Sequence, residues 1–404
     1  MPTSTQQEIR AVASLAFLYA LRMFGLFMVL PVLALYAADY ANHTPYLMGL
    51  ALGIYGFSQS LLQIPMGLLS DRFSRKTIVI IGLLLFALGS VVAALSTSIH
   101  GLIAGRFLQG CGAVSSALMA LVADLTREQH RTRAMASVGA SIGLAFMLAM
   151  MLGPVLASLA GLSGLFWLTA LLAGAGVLLM VKVVPEPPAA VAHQPHLDTV
   201  PAVAMLRRVV FCPELARLNL GVFVLHGALM ALFTLVPPLL ENQVGLPRAR
   251  HWEVYLPVLM GSFVAMIPLL LLAERRHQTR LAFLVAIGAM MLALALLGVA
   301  YQVNAVLLTA LFLFFFGFNL LEAQLPSLVR KKAPPNSRGT AMGLFSTCQF
   351  MGIFCGGVLG GWLQHRVGDA SLFAALLLFV SLWFAVAMGM TETVGKSEPA
   401  APVV

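Results

Sequence analysis

The sequence predicts an all-α integral membrane fold, with twelve transmembrane helices in two six-helix pseudo-repeats. Three observations carry that prediction. Hydrophobic residues make up 60% of the 404 positions and charged residues only 10%, a balance outside the range of ordinary soluble domains. About twelve apolar segments recur along the chain, each close to the roughly 20 residues needed to cross a bilayer as a helix. A single long polar connection, residues 185–216, divides them six from six.

In order, the segments are 11–36, 46–69, 77–95, 99–122, 135–159, 164–184, 217–240, 252–273, 280–300, 304–330, 339–362 and 369–391. The first follows a short polar lead with Arg10 and is too long for a signal-peptide core, so it is expected to be retained. Connections are mostly short, which makes successive helices antiparallel neighbours. The long connection opens with Pro185-Glu186-Pro187-Pro188 and closes with Arg207 and Arg208, the composition of a linker. The expected organisation is therefore an N-terminal half (1–184), a cytoplasmic linker (185–216) and a C-terminal half with a short tail (217–404).

The halves echo each other. Leu121-Val122, Arg131 and Ala134-Met135 return as Leu328-Val329, Arg338 and Ala341-Met342, all at an offset of 207 residues. The same offset carries Pro31 onto Pro238 and Gly153 onto Gly360, and a slightly smaller one carries Ile64-Pro65 with Arg72 onto Ile267-Pro268 with Arg275. A parallel repeat of this kind is a known plan of membrane transporters.

The net charge of +9 orients the chain rather than binding a polyanion, so no nucleic-acid partner is expected. Of 24 Lys and Arg, 19 fall in the termini and in alternate loops on the same side, three (Arg248, Arg250, Arg366) in the opposite loops and two (Arg22, Arg106) inside segments. Basic loops stay cytoplasmic, which places both termini inside. Cys111, Cys212, Cys348 and Cys355 are scattered, with neither metal-ligand spacing nor an expected disulfide. No room remains for a soluble catalytic domain. The nucleophile-like Gly139-Ala140-Ser141-Ile142-Gly143 lies in a predicted helix with no strand before it, so no enzyme is expected. There is no phosphate-binding Gly-x-x-x-x-Gly-Lys-Ser/Thr loop, and no cofactor is called for.

Four strongly polar side chains lie well inside apolar segments: Arg22, Arg106, His226 and Glu322, on segments one, four, seven and ten. An arginine at a helix centre costs about 2.5–3.5 kcal/mol even on the lenient insertion scale, and a hydrated cavity would compensate it. Polar neighbours sit at helical spacing: Tyr19 near Arg22, Gln109 near Arg106, Asn219 on the His226 stripe, Asn319 beside Glu322, and Gln59 with Gln63 on segment two. Phe315 and Phe318 belong to an aromatic run just before Glu322; rings beside sparse polar groups suit amphipathic or cationic organic ligands. Glu322 is the one acid placed deep in a segment, where it can take a proton from one side and release it to the other; His226 is the second candidate, since imidazole titrates near neutrality. The alternative is a fixed ion pair of Glu322 with Arg22 or Arg106.

The charged burst between segments two and three, Gly67-Leu68-Leu69-Ser70-Asp71-Arg72-Phe73-Ser74-Arg75-Lys76, resembles the signature loop of the major facilitator superfamily, departing from it at Ser74, where a glycine is usual. The resemblance implies a cytoplasmic latch in which Asp71 sits against the start of segment eleven and Arg72 pairs with Asp124. It also implies that segments one, four, seven and ten line a central cavity. Gly105-Arg106 with Gln109-Gly110 resembles the fourth-helix motif, whose arginine is associated with proton transfer. Gly153-Pro154 partly matches the fifth-helix motif of drug–proton antiporters, with Ala149, Ala157 and Ser158 in place of glycines; segment eleven, with Gly356 and Gly360, looks like a fuller copy. Leu21-Arg22-Met23-Phe24-Gly25 and Asn319-Leu320-Leu321-Glu322-Ala323 resemble the YajR-type branch of those antiporters, although the chain ends too soon for the small soluble domain some relatives carry. The resemblance implies proton-driven export of small amphipathic or drug-like organic molecules by alternating access, from the bacterial inner membrane and as a monomer. Its partners would be the substrate, protons and the lipid bilayer. Proton symport importing a metabolite or sugar on the same fold is the alternative.

Overall fold

Every predicted segment is helical in the computed structural model, which describes residues 5–186, 207–334 and 337–390; the side chains of Thr5, Asp71 and Arg72 are outside the described set. The first half contains α1 (Thr5–Phe27), α2 (Leu30–Tyr36), α3 (Pro45–Arg72), α4 (Arg75–Leu95), α5 (Ile99–Cys111), α6 (Ser115–Asp124) and α7 (Glu128–Lys182). The second contains α8 (Pro213–Asn242), α9 (Trp252–Arg275), α10 (Thr279–Ala300), α11 (Asn304–Lys332), α12 (Arg338–Arg366) and α13 (Asp369–Met388). Exposed Leu84, Leu88, Leu171, Leu178, Phe263, Leu378 and Leu382 dress the outside of these helices with apolar surface, as a lipid environment requires.

Several boundaries differ from the sequence expectation. Segment one is two helices, interrupted at Met28-Val29 just ahead of Pro31, whose ring lacks an amide and so suits only a first turn. Segment four is likewise divided, at Gly112 to Val114. Segments five and six run on without a loop: α7 is interrupted by Gly161 alone, at φ 66° and ψ −177°. The chain doubles back there, since Ser141 bonds the Ala16 carbonyl and Gly153 meets Met28 on the way out, while Thr169 bonds the Gly25 carbonyl on the way back. A positive φ strains any residue with a Cβ, which explains the glycine.

The charged burst is mostly helix rather than loop. α3 runs through Arg72 and α4 resumes at Arg75, leaving only Phe73 and Ser74 between them. Ser74 sits at φ −59°, where any residue is comfortable, so the turn has no need of the missing glycine. The linker was expected to end at 216, but Pro213 already opens α8, with Glu214 in its first turn. Residues 187–206 of the linker and the tail from 391 lie outside the described residues.

Among the described residues, the close packing between the halves lies toward one end. We call the end where α1 begins and α13 finishes the terminus side, and the other the far side. Toward the far side, α3 and α12 pack backbone to backbone: a Cβ added at Gly49 would lie 2.3 Å from the Gly357 carbonyl oxygen, and one at Gly361 would lie 2.5 Å from that of Pro45. Deeper in, the Tyr55 and Phe350 rings meet at 6.2 Å. Arg248 of the second half lies over the Tyr36 ring of the first at 5.0 Å. Toward the terminus side the same helices part, with Leu61 and Leu68 exposed on α3 and open space around Gly339 and Gly343 on α12. The buried core follows this division. The far-side parts of the first half share one cluster with the second half, whereas the terminus-side residues around Leu15, Val79, Leu118 and Val138 form a separate one.

Candidate functional site

Each half carries a polar cluster, and the two are built differently. In the first half, Arg22 on α1 is 1% exposed and donates through Nη2 to Tyr55 Oη (3.2 Å), Gln59 Oε1 (3.4 Å) and the Gly112 carbonyl (3.0 Å), and through Nη1 to Ser115 Oγ (3.4 Å). The break between α5 and α6 supplies two of these acceptors. Gly112 is required there because a Cβ would lie 2.4 Å from the Gly82 carbonyl oxygen. Arg106 on α5, also 1% exposed, donates to Gln109 Oε1 (2.8 Å) and the Ala51 carbonyl (3.3 Å), with its guanidinium 5.1 Å from the Tyr55 ring centroid. Gln109 passes a bond to Ser90 Oγ (2.7 Å), Gln59 one to Gln63 Oε1 (3.2 Å), and Tyr19 lies beside Ser115.

Every partner just named is neutral, so both cations are held by oxygen dipoles and aromatic faces rather than by a carboxylate, and the buried Arg22 Nε has no hydrogen-bond partner. The sequence suggested a water-filled cavity as compensation. Instead Arg22, Arg106, Tyr19, Gln59, Gln63 and Gln109 are all buried, forming the interior of a wall rather than its wet surface. Tyr55, Ser90 and Ser115 complete the network. Sequence reading passed over them because a lone hydroxyl in a membrane helix often bonds its own backbone.

In the second half, His226 on α8 uses Nδ1 toward the Val222 carbonyl at 3.2 Å, which fixes the proton on that nitrogen because a carbonyl only accepts. Its Nε2 faces two groups: the Gln349 side-chain amide of α12 at 2.7 Å and Glu322 Oε2 of α11 at 3.5 Å. The Phe318 ring packs edge-on against the imidazole at 5.6 Å. The Glu322 side chain is 42% exposed, whereas that of His226 is 7% exposed. Glu322 is thus paired with histidine and partly open to solvent, and neither Arg22 nor Arg106 is its partner. The ion pairs with arginine that the sequence left open are not formed among the described residues.

The remaining expected residues scatter. Asn319 turns from the cavity to bond Ser262 Oγ of α9 at 3.0 Å, and Phe315 is buried against Phe233 and Phe314. Asn219 is buried with its side-chain oxygen unpartnered. Among the latch residues, Asp124 pairs with Arg75 at 2.5 Å, and Arg75 also bonds the Ala120 carbonyl (2.9 Å). Lys76 bonds the Val184 carbonyl at 2.9 Å, and Gly67 lies within α3 facing Ser116. The expected contacts of Asp71 and Arg72 lie outside the described side chains. Gly153 abuts Met28 at the break between α1 and α2, with Pro154 next to it in α7. Gly352, Gly356 and Gly360 lie against α8, where a Cβ at Gly356 would be 2.1 Å from the Gly227 carbonyl oxygen. Gln349 was missed; a glutamine in a helix otherwise rich in glycine and apolar residues was its only signal.

A family model described as Major Facilitator Superfamily matches residues 15–357. The inner membrane transport protein YajR of Escherichia coli (strain K12) is 42% identical over 388 residues, covering 96% of this chain and 85% of that protein. The multidrug resistance protein MdtH of Photorhabdus laumondii is 27% identical over 357 residues, 84% of this chain and 83% of its own. Among solved structures, a bacterial homologue of the human lysosomal transporter Spinster, described as inward-facing and occupied, superposes with a TM-score of 0.74 over 96% of this chain and 97% of its own. At 14% identity that likeness is one of fold.

Proposed function

The chain belongs to the major facilitator superfamily, a family of membrane transporters, and from that premise we propose that it is a proton-coupled exporter of small amphipathic organic molecules, working by alternating access. The observation that carries this reading is the His226–Glu322 pair: two titratable groups 3.5 Å apart, next to the Phe318 ring, with Glu322 partly exposed. A proton held by the pair changes its net charge by one, and substrate entering the same space competes with that charge. The relative named for multidrug resistance supports export rather than uptake. At roughly 150 mV one elementary charge supplies about 3.4 kcal/mol, enough for a substrate gradient of about 300-fold at one-to-one exchange.

The basic surplus on the terminus side supports placing both termini in the cytoplasm of a bacterial inner membrane. The open end then faces the cytoplasm, ready to load. Arg106 in this reading is a fixed cation whose field biases the proton site, and the Arg75–Asp124 tie with Asp71 and Arg72 belongs to the gate that closes the cytoplasmic end. The energy source is the proton gradient, no cofactor takes part, and one chain is the working unit.

The test is proton movement in energised inverted vesicles as lipophilic cations and antimicrobials are added, comparing wild type with Glu322→Gln. Substrate-triggered proton release that the substitution abolishes supports the reading. Release that survives moves the proton site away from Glu322, and no release with any compound overturns export in favour of symport.

A further inference from the structure

His226 has one free ring atom and two claimants for it. Nδ1 is committed to the Val222 carbonyl of its own helix, so only Nε2 changes state when the ring gains or loses a proton. That atom lies between Gln349 of α12 at 2.7 Å and Glu322 of α11 at 3.5 Å, with Phe318 of α11 against the ring. Glu322 is the one titratable group facing it among these contacts. The two claimants respond differently to a proton. A neutral ring accepts at Nε2, which suits the amide N–H of Gln349 and leaves ionised Glu322 without a bond. A protonated ring donates from Nε2, which an ionised carboxylate takes more strongly than an amide oxygen does. Proton arrival therefore draws the histidine from α12 toward α11, or turns the Gln349 amide end for end.

α12 also makes the backbone-to-backbone contact between the halves. One glycine face, Gly352, Gly356 and Gly360, lies on α8, which carries His226; another, Gly357 and Gly361, lies on α3 of the other half. The closest approaches in both seams are backbone against backbone, with the Tyr55–Phe350 and Phe57–Phe354 ring contacts beside them on the α3 side. Gln349 lies a short way along the helix from these seams, and it is the polar bond by which α12 grips the proton site.

We propose that Gln349 is a positioning residue that reports the protonation state of the His226–Glu322 pair to α12, and through α12 to the contact between the halves. The proposal rests on the proton-coupled reading above and deepens it, adding the element by which the proton moves the helices.

The experiment is a distance measurement by pulsed electron resonance in nanodiscs from pH 5 to 9. Spin labels at exposed Gln129→Cys and Arg276→Cys, on the terminus side of opposite halves, are read in a background lacking the four native cysteines. Wild type is expected to pass between two distance populations with a single pH midpoint. Gln349→Met, similar in size and unable to bond, is expected to flatten that transition. Gln349→Glu sets a second carboxylate beside His226, favouring both the imidazolium and a protonated Glu322, and is expected to raise the midpoint by about one pH unit or more. If Gln349→Met misfolds, Gln349→Asn, which keeps the amide and shortens its reach, takes its place and is expected to flatten the transition in the same way; the Gln349→Glu shift checks only that position 349 faces His226. Both variants tracking wild type, while Glu322→Gln abolishes the transition, overturns the role of Gln349 and leaves proton coupling standing. Absence of any pH transition in wild type overturns both.

Discussion

Tyr19 and His226 occupy the same position in the two halves, and so do Ser115 and Glu322: each pair is related by the 207-residue offset that carries Arg131 onto Arg338. The spatial relation is repeated as well, Tyr19 lying beside Ser115 in the first half and His226 facing Glu322 in the second. One architecture thus holds a phenol beside a hydroxyl in one half and an imidazole beside a carboxylate in the other. Their surroundings differ in the same sense. Arg22 binds Ser115 at 3.4 Å from one side, whereas its counterpart in the second half is the buried Leu229. The first half holds a buried cation among neutral acceptors, and the second sets His226 and Glu322 beside the Phe318 ring. In the proposed mechanism the first half is the frame against which the changing charge of the second does work.

The steepest expected contrast is steric. Gly356 and Ala149 are equivalent positions on α12 and α7, but a Cβ at Gly356 would sit 2.1 Å from the Gly227 backbone, while Ala149 already has one and is fully buried. Gly356→Val is expected to cost about 3 kcal/mol or more and Ala149→Val about 1 kcal/mol, at opposite ends of the usual overpacking range. Thermal unfolding in detergent checks this, and equal losses would mean that the two seams are not differently packed.

Next in size is the effect on coupling. Glu322→Gln should reduce substrate-triggered proton release about 5- to 150-fold, the span of a typical coupling free energy. Tyr19→Phe, at the position equivalent to His226, should leave it within about twofold. Equal loss in both would erase the distinction between frame and exchanger.

The smallest expected effect is also the sharpest test. Tyr19→His combined with Ser115→Glu transplants the titrating pair into the first half. The introduced carboxylate would lie against Arg22, whose charge holds it in one state, so no second pH-dependent step is expected in transport. A second step would show that the residue pair alone, without its apolar surroundings, makes a proton site.

The apolar segments were legible because span length is a one-dimensional property. The four intramembrane polar residues were legible for the same reason, as exceptions in apolar runs. Azimuth was not legible. A helix that is apolar all round has no polar face to say which way Asn319 or Gln59 points, and Asn319 turned toward Ser262 while Gln59 turned inward toward Arg22. The breaks at Met28-Val29 and Gly112 to Val114 were hidden by unbroken hydrophobicity, since a chain can leave helical geometry in the membrane wherever protein satisfies the freed groups. Gly112 does so by giving its carbonyl to Arg22. Gln349 escaped notice because its partner, His226, is 123 residues away.

Between the two long arms of α7 stands a single residue, Gly161, with Ser163 of the returning arm bonding the Ala94 carbonyl of α4. A turn that short leaves no hydrophilic loop to be carried across the bilayer during synthesis. Neither arm needs to wait for a polar passenger to be translocated, so the pair can enter the membrane as one prefolded hairpin. Its return arm would then offer a ready surface for helices already inserted. The order in which the first half assembles is in this sense written into one glycine, and lengthening the turn there would change how the protein is made before it changed how it works.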